Sequence, residues 1–270
     1  MRVFFIILLA SPFASAWLAP RNAVRSTQNS RRLITYALVP QTNPSADTHA
    51  VSQAGVIYSD AFACIQSVYP AAMLSQRNAV SRTDGYWPYL SQGIEPPRSL
   101  TYGEFDFYFF AELLDRALLL SARESWQDTV FCDVGSGTGR LVLAAHQLHA
   151  WKECRGVEIL PQVHREAEHK LQECDGITLI CGSFEDNDNL KNADCIFAFS
   201  SCFTPETMQS LGNAVGKQCN PGTIVITTDY MLPLEGPDYL LRLVEQRNGW
   251  CWLTGGPSTA FLHQVVQSSS

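Results

Sequence analysis

One ten-residue stretch, FCDVGSGTGR, constrains the fold of this chain more than any other feature of its sequence. Apolar residues lead into Asp133, and a turn with Gly135, Gly137 and Gly139 follows at once. A buried strand that passes through a glycine-rich turn into a helix is the unit with which α/β proteins cradle nucleotides. The stretch therefore predicts a strand–turn–helix unit at the ligand-binding edge of a parallel sheet.

The sequence around this unit alternates between strand and helix patterns, which predicts an α/β fold with a doubly wound, Rossmann-like sheet. A hairpin signal, GGPS, lies near the end of the chain and predicts an antiparallel C-terminal edge on a mostly parallel sheet. The predicted strands are 129–133, 154–158, 177–181, 194–200, 223–228, 250–254 and 259–267. The predicted helices are 105–121, 139–150, 161–172, one that opens at Thr204 as N-cap, and 238–246.

The residues before this domain divide into segments of different composition. Residues 46–100 are predicted to form an N-terminal helical and loop cap, with a helix at 54–68 and a loop at 83–98. The loop contains GYWPY, and because this aromatic segment lies shortly before Tyr102 we expect the cap to cover the ligand pocket. The α/β domain itself is predicted to span 101–267.

The first 45 residues are typical of a targeting sequence. Residues 1–16 are predicted to be a signal peptide, with Arg2, an apolar run too short to span a bilayer, and the cleavage site Ala14-Ser15-Ala16. Residues 17–45 are rich in Arg, Ser, Thr and Asn without acids, as in a transit peptide. Together they resemble the bipartite plastid presequence of diatoms and related algae, with Trp17 at the aromatic position. This predicts a plastid (chloroplast stroma) location and no membrane span in the mature chain.

Charge and cysteine content narrow the class of protein further. The net charge is −7 although five arginines precede the first acid, Asp47, so the body of the chain is more acidic still. Strong non-specific binding to nucleic acid is therefore not expected. The nine cysteines are odd in number and contain no C-x-x-C pair, and the histidines do not match H-E-x-x-H. We predict no metal site, and buried free thiols in a reducing compartment.

Charge also favours one ligand for the glycine turn. The spacing Gly135-x-Gly137-x-Gly139, followed by Arg140, departs by one residue from the dinucleotide fingerprint, and no P-loop lysine is present. A carboxylate at Asp133 would repel a pyrophosphate but attract an ammonium group. S-adenosyl-L-methionine carries a sulfonium and an ammonium and has no phosphate. It is therefore the predicted cofactor, and a dinucleotide oxidoreductase is the less favoured alternative.

The ends of the next two strands supply groups for the rest of that cofactor. Glu158 ends the second strand, where a carboxylate can accept hydrogen bonds from both ribose hydroxyls. Ser183 and Phe184 follow the third strand, where Phe184 could stack on adenine and Ser183 could hydrogen-bond its edge. Packing of Phe184 into the core remains the alternative for that residue.

Four stretches resemble class I S-adenosylmethionine-dependent methyltransferases, and among them the disruptor-of-telomeric-silencing (Dot-one-like) family of histone lysine methyltransferases without a SET domain. They are TYGEFDF (101–107), DVGSGTGR (133–140), GVE (156–158) and the hairpin WLTGGPSTAFLH (252–263). The resemblance covers residues 100 to 267. It implies that Tyr102 and Glu104 close on the methionine end of the cofactor. The predicted cofactor-binding set is Tyr102, Glu104, Asp133, Gly135, Ser136, Gly137, Gly139, Glu158, Ser183 and Phe184.

The acceptor side departs from the family pattern. Where the family has Asn-Asn-Phe after the fourth strand, this chain has Phe199, Ser200 and Ser201. Leu253 and Ala260 replace two hairpin aromatics, and Ser183 replaces an aspartate. Ser200 and Tyr102 are the candidates for orienting the acceptor. Three hypotheses follow: methylation of a lysine amine on a non-histone plastid protein, methylation of a small plastid metabolite, or cofactor binding without turnover.

Overall fold

The computed structural model describes residues 58–186, 188–251 and 256–267, and its centre is one eight-stranded sheet. The strands are β1 (Val130–Val134), β2 (Glu153–Glu158), β3 (Ile177–Cys181), β4 (Cys195–Ala198), β5 (Ile224–Thr228), β6 (Glu235–Gly236), β7 (Tyr239–Cys251) and β8 (Gly256–Gln267). Their order is β3-β2-β1-β4-β5-β8-β7-β6. The first five are parallel and the last three pair antiparallel, which confirms the predicted fold class.

Seven α-helices accompany the sheet in the described ranges. They are α1 (Ser59–Val68), α2 (Leu74–Gly85), α3 (Trp87–Leu90), α4 (Phe107–Leu120), α5 (Arg140–Leu148), α6 (Pro161–Leu171) and α7 (Pro205–Gln218). Two 3₁₀ turns, Ala71–Met73 and Arg98–Leu100, join them. Thr204 caps α7 as predicted, because its side chain accepts a hydrogen bond from the Thr207 N–H. None of these helices is long and apolar enough to cross a membrane.

The helical cap was predicted correctly in kind but not in detail. The loop prediction for 83–98 is wrong in its first half, since α2 extends to Gly85 and α3 adds a further turn. Pro88 lies in the first turn of α3, where a missing N–H costs nothing, so it starts a helix here and does not break one. The targeting segments, residues 54–57 of the first predicted helix and the hairpin residues 252–255 lie outside the described residues.

The central strands carry apolar side chains on both faces because helices cover both sides of the sheet. On one face Phe131 and Phe197 pack with Phe110 of α4. On the other, Ile196 and Val225 belong to a cluster with α7 residues. Four thiols are buried as small apolar groups, as predicted: Cys132, Cys154, Cys195 and Cys219. The prediction is wrong for Cys181, which is exposed, and three further thiols are only half-buried: Cys64, Cys174 and Cys202.

The helix predicted at 238–246 is wrong, because this segment is the first half of β7. Its leucines match a helical spacing as well as a strand spacing, so periodicity alone did not separate the two. Pairing with β8 along the segment, from Leu241 opposite Val265 to Cys251 opposite Gly256, decides for the strand. Ion pairs from Arg116 to Glu245 and from Arg247 to Glu112 then tie β7 to α4.

The start of β7 packs closely against α7. Tyr239 is 4% exposed, and a Cβ atom added at Gly216 would lie 2.5 Å from the Tyr239 Cβ and 2.8 Å from its Cδ1. Distances this short cannot be relieved by turning a flexible side-chain end. The glycine is therefore required for the antiparallel edge to reach the helix.

We expect Gly216→Ala to lower the free energy of unfolding by about 1–3 kcal/mol, the usual cost of overpacking. Lys217→Ala, on the exposed side of the same helix, should change it by less than about 0.5 kcal/mol. Urea denaturation measures both. A stabilised Gly216→Ala variant, as helix propensity alone would give, contradicts this packing.

Candidate functional site

A cavity of about 260 Å³ opens beyond the carboxyl ends of β1, β2 and β3, beside the point where the strand order reverses. Open α/β sheets bind ligands at this place. The cavity brings together nine of the ten residues predicted to bind the cofactor. They are Tyr102, Glu104, Asp133, Gly135, Ser136, Gly137, Glu158, Ser183 and Phe184.

Gly139 is the exception, and it does not line the cavity. It precedes α5 with φ +82°, and a Cβ there would lie 2.7 Å from Leu171 Cδ1 and 3.3 Å from Ala167 Cβ. Both contacts come from α6. This glycine is therefore required for the turn and for helix packing.

Asp133 ends in the cavity as a buried carboxyl. It is 3% exposed, and no described residue donates a hydrogen bond to it. Burial, with a smaller contribution from the charge of Glu158, raises the pKa of Asp133 to about 8. An ionised carboxylate here is costly until a cation reaches it. The site is thus prepared for a positively charged group at the end of β1.

Glu158 is buried at the end of β2 but is held by the backbone. The Gly137 N–H donates to its Oε2 at 2.8 Å, and the Leu160 N–H donates to its Oε1 at 2.9 Å. Burial raises the pKa of Glu158, and these backbone bonds oppose the rise. They also fix the carboxylate in one orientation, with lone pairs left for ribose hydroxyls. The glycine turn and β2 therefore form one unit.

The loop that carries Tyr102 and Glu104 lies over the glycine turn. A Cβ at Gly137 would come within 2.9 Å of the Tyr102 ring, so the two segments are in direct contact. The Tyr102 hydroxyl donates to Glu104 Oε1 at 2.9 Å and lies 3.0 Å from Thr138 Oγ1. Burial raises the pKa of Tyr102, with the charge of Glu104 adding to the shift. Tyr102 is therefore a hydrogen-bond donor at neutral pH and not a base.

Two arginines that the sequence reasoning missed meet at Glu104. Arg77 of α2 donates from Nε to Glu104 Oε1 at 2.5 Å, and Arg140 Nε lies 3.6 Å from Glu104 Oε2. Arg140 also lines the cavity, so a cation and the Asp133 carboxyl face the same space. This pair suits the carboxylate and ammonium of an amino-acid group. Arg140 was visible beside the glycine turn, whereas Arg77 lies in the cap and no motif marks it.

Ser183 and Phe184 lie in the turn after β3 and line the cavity. The Ser183 N–H donates to Asp186 Oδ2 at 3.0 Å and its hydroxyl accepts from the Glu185 N–H at 3.1 Å. Phe184 is half-buried, lines the cavity and also contacts the core cluster beneath. It therefore combines the core position and the pocket position that were considered as alternatives.

Ser200 does not reach the cavity. It is fully buried, its hydroxyl donates to the Thr228 carbonyl at 2.7 Å, and it accepts from the Thr228 N–H at 2.9 Å. These bonds tie the end of β4 to β5 and occupy the hydroxyl. The predicted role of Ser200 in orienting an acceptor is not supported by this position. Its neighbour Phe199 lines the cavity instead.

No group of three or more His, Cys, Asp or Glu side chains among the described residues could hold a metal ion. The strand order, the antiparallel edge, and a pocket with a buried acid at the end of β1 define a class I S-adenosylmethionine-dependent methyltransferase. S-adenosylmethionine is its cofactor. The sequence model of the family described as "Histone methylation protein DOT1" matches residues 94–237, which is more than half of the chain. The chain belongs to this family.

Solved structures with similar folds include several methyltransferases. An RNA methyltransferase from Salinibacter ruber, in complex with S-adenosyl-L-homocysteine, is 25% identical over 57% of this chain and 91% of its own, with a TM-score of 0.43. An S-adenosylmethionine-dependent methyltransferase from Clostridium acetobutylicum is 10% identical over 60% and 93%, with a TM-score of 0.46. TrmN from Thermus thermophilus is 16% identical over 64% and 54%, with a TM-score of 0.48. No curated protein sequence matches the chain.

We expect Asp133→Asn to weaken S-adenosylmethionine binding at least about 30-fold, because it removes the charge that pairs with the ammonium. Isothermal titration calorimetry with the purified protein measures the change. Asp175→Asn is the matched control and should bind the cofactor normally. Asp175 is an exposed acid at the amino end of β3, and the cavity lies at the carboxyl end of that strand. Equal affinity of Asp133→Asn and the unaltered protein contradicts the assignment.

The same variant should be more stable than the unaltered protein without ligand. The pKa of Asp133 in the folded protein, about 8, exceeds the ordinary value of 3.8, so the favourable contribution of Asp133 to stability is present below about pH 4 and is lost as the pH rises through about 8. The thermal midpoint of Asp133→Asn should therefore exceed that of the unaltered protein by at least about 2–4 °C at pH 9, and by less at pH 5. If the difference in thermal midpoint between the variant and the unaltered protein does not grow with pH, the pKa of Asp133 is not raised in the folded protein.

Proposed function

We propose that this protein transfers the methyl group of S-adenosylmethionine to a lysine amine of a non-histone protein in the plastid stroma. The observation that best supports a lysine acceptor is an aromatic wall in the same cavity as the cofactor residues, formed by Phe105, Phe199 and Phe203. The rings of Phe105 and Phe199 lie 5.2 Å apart. A lysine must be neutral to attack the methyl carbon, and an apolar wall favours the neutral amine over the ammonium.

The reaction asks little of the protein beyond alignment. The amine nitrogen attacks the methyl carbon in line with the sulfur, and the bonding pair leaves with sulfur as a neutral thioether. No acid is needed for that leaving group, so acceleration comes from positioning in a water-poor pocket. Tyr102 is suited to this positioning: its hydroxyl is fixed by Glu104 and Thr138.

Two observations support a non-histone acceptor. The chain has a net charge of −7 while its arginine-rich first 45 residues resemble a plastid presequence, and plastids contain no nucleosomes. The acceptor-side positions Phe199, Ser200 and Ser201 also differ from the family's Asn-Asn-Phe. The family relationship supports a lysine amine as the methyl acceptor. The differences at the acceptor-side positions support an acceptor protein other than a histone.

Incubation of the purified protein with methyl-labelled cofactor and stromal extract tests the acceptor. We expect label on lysine residues of stromal proteins, located by mass spectrometry, and at least about tenfold less with Asp133→Asn at limiting cofactor. Label in the small-molecule fraction would instead support a metabolite methyltransferase. Cofactor binding with no label transferred would support a non-catalytic protein, and preferential labelling of added nucleosomes would contradict the non-histone assignment.

The proposed location has its own test. A fluorescent protein fused behind residues 1–46 should accumulate in the plastid of a diatom cell, because the signal peptide and the transit segment act in sequence. A fusion behind residues 17–46, which lacks the signal peptide, should remain outside. Microscopy that finds the first fusion outside the plastid would refute the location.

A further inference from the structure

A second cavity, of about 410 Å³, adjoins the cofactor cavity and shares Phe203 with it. We call it the acceptor cavity. It is formed by residues 201–205 after β4, by Met208 of α7, by the turn 230–233 after β5, and by Arg98. Phe203 belongs to the aromatic wall of the proposed lysine site, so a group that fills this cavity would lie next to that wall.

The walls of the acceptor cavity are held together by one carboxylate. Asp229 accepts hydrogen bonds from Ser201 Oγ, from Ser258 Oγ at 2.9 Å and from the Thr259 N–H at 3.0 Å. Its backbone has φ +61°, a conformation that a non-glycine residue adopts only when its surroundings impose it. The loop after β4 and the turn after β5 are thus joined before any ligand arrives. The cavity is a built feature of the fold.

The lining of the acceptor cavity indicates what it binds. Phe203, Met208 and Met231 make most of it apolar, and among the described lining residues Arg98 is the one charged side chain. Arg98 is exposed, and no described carboxylate lies within ion-pair distance of it. A strongly basic peptide segment would place like charge against this guanidinium. An apolar stem that carries a carboxylate matches both the lining and the charge.

We propose that the acceptor cavity holds an acidic residue next to the target lysine, with its carboxylate on Arg98 and its methylenes on the apolar lining. This inference rests on the proposed function, because it concerns the neighbours of a lysine acceptor. It makes Arg98 a specificity-determining residue that selects lysines in acidic surroundings.

Two synthetic peptides test this, each with a single lysine flanked on both sides by glutamates or by glutamines. Fluorescence anisotropy with the full-length protein, saturated with S-adenosyl-L-homocysteine, measures their binding. We expect the glutamate peptide to bind about two- to fivefold more tightly, the range for an exposed ion pair. Arg98→Glu should reverse the preference. Arg82→Glu, an equal charge change at an exposed arginine of α2 outside both cavities, should leave it intact.

The outcomes separate the two proposals. Unchanged S-adenosyl-L-homocysteine affinity in Arg98→Glu shows that the variant is folded. Equal binding of the peptides, or a preference that Arg98→Glu does not alter, overturns the inference and leaves the proposed function standing. Failure of both peptides to bind, together with no labelled lysine in stromal protein, overturns both.

Discussion

The structure is organised around a buried carboxyl group that no part of the described chain neutralises. Asp133 ends the central strand β1 at the reversal point of the sheet, with a pKa raised to about 8 by burial. Burial of this carboxyl lowers the stability of the fold at neutral pH, and a ligand cation that pairs with the carboxylate restores stability on binding. The position explains why the glycine turn can serve a cationic cofactor and not a pyrophosphate. Stability is given up at the place where binding requires it.

A second carboxylate, that of Glu104, is neutralised by arginines and holds separate segments of the chain together. Glu104 contacts Arg77 from the helical cap, Arg140 from the start of α5, and Tyr102 from its own loop. The Tyr69 hydroxyl adds a bond from the cap to the Thr138 carbonyl at 2.6 Å. The N-terminal cap is therefore part of the cofactor site, and residues 58–100 cannot be treated as an independent appendage.

Structural features that depend on neighbouring residues were predicted from the sequence, whereas features that depend on distant residues were not. The strand 177–181 and the turn at 133–137 were predicted from local patterns, because alternation, buried runs and glycine spacing act within a few residues. The first half of β7 was predicted as a helix, since its conformation is decided by pairing with β8. Ser200 was misjudged for the same reason: its hydroxyl is occupied by Thr228 of another strand. Arg77 left no local signal, because its partner lies 27 residues away.

Some site residues were predicted from the family resemblance and others from charge and topology. Tyr102 and Glu104 were proposed from the family pattern alone, and the structure places both in the cavity. Asp133 and Glu158 followed from charge and topology, and they lie there too. The acceptor side had neither support, because this chain departs from the family there. Its description therefore rests on the second cavity and on Arg98, which only the fold brings together.

A crystal structure of the protein with S-adenosyl-L-homocysteine tests most directly whether Asp133 binds the ammonium group of the cofactor. We expect the ligand's ammonium within about 3 Å of the Asp133 carboxylate, its ribose hydroxyls on Glu158 and its adenine against Phe184. A ligand that lies in the cavity with its ammonium away from Asp133, or that binds elsewhere on the chain, would contradict this expectation.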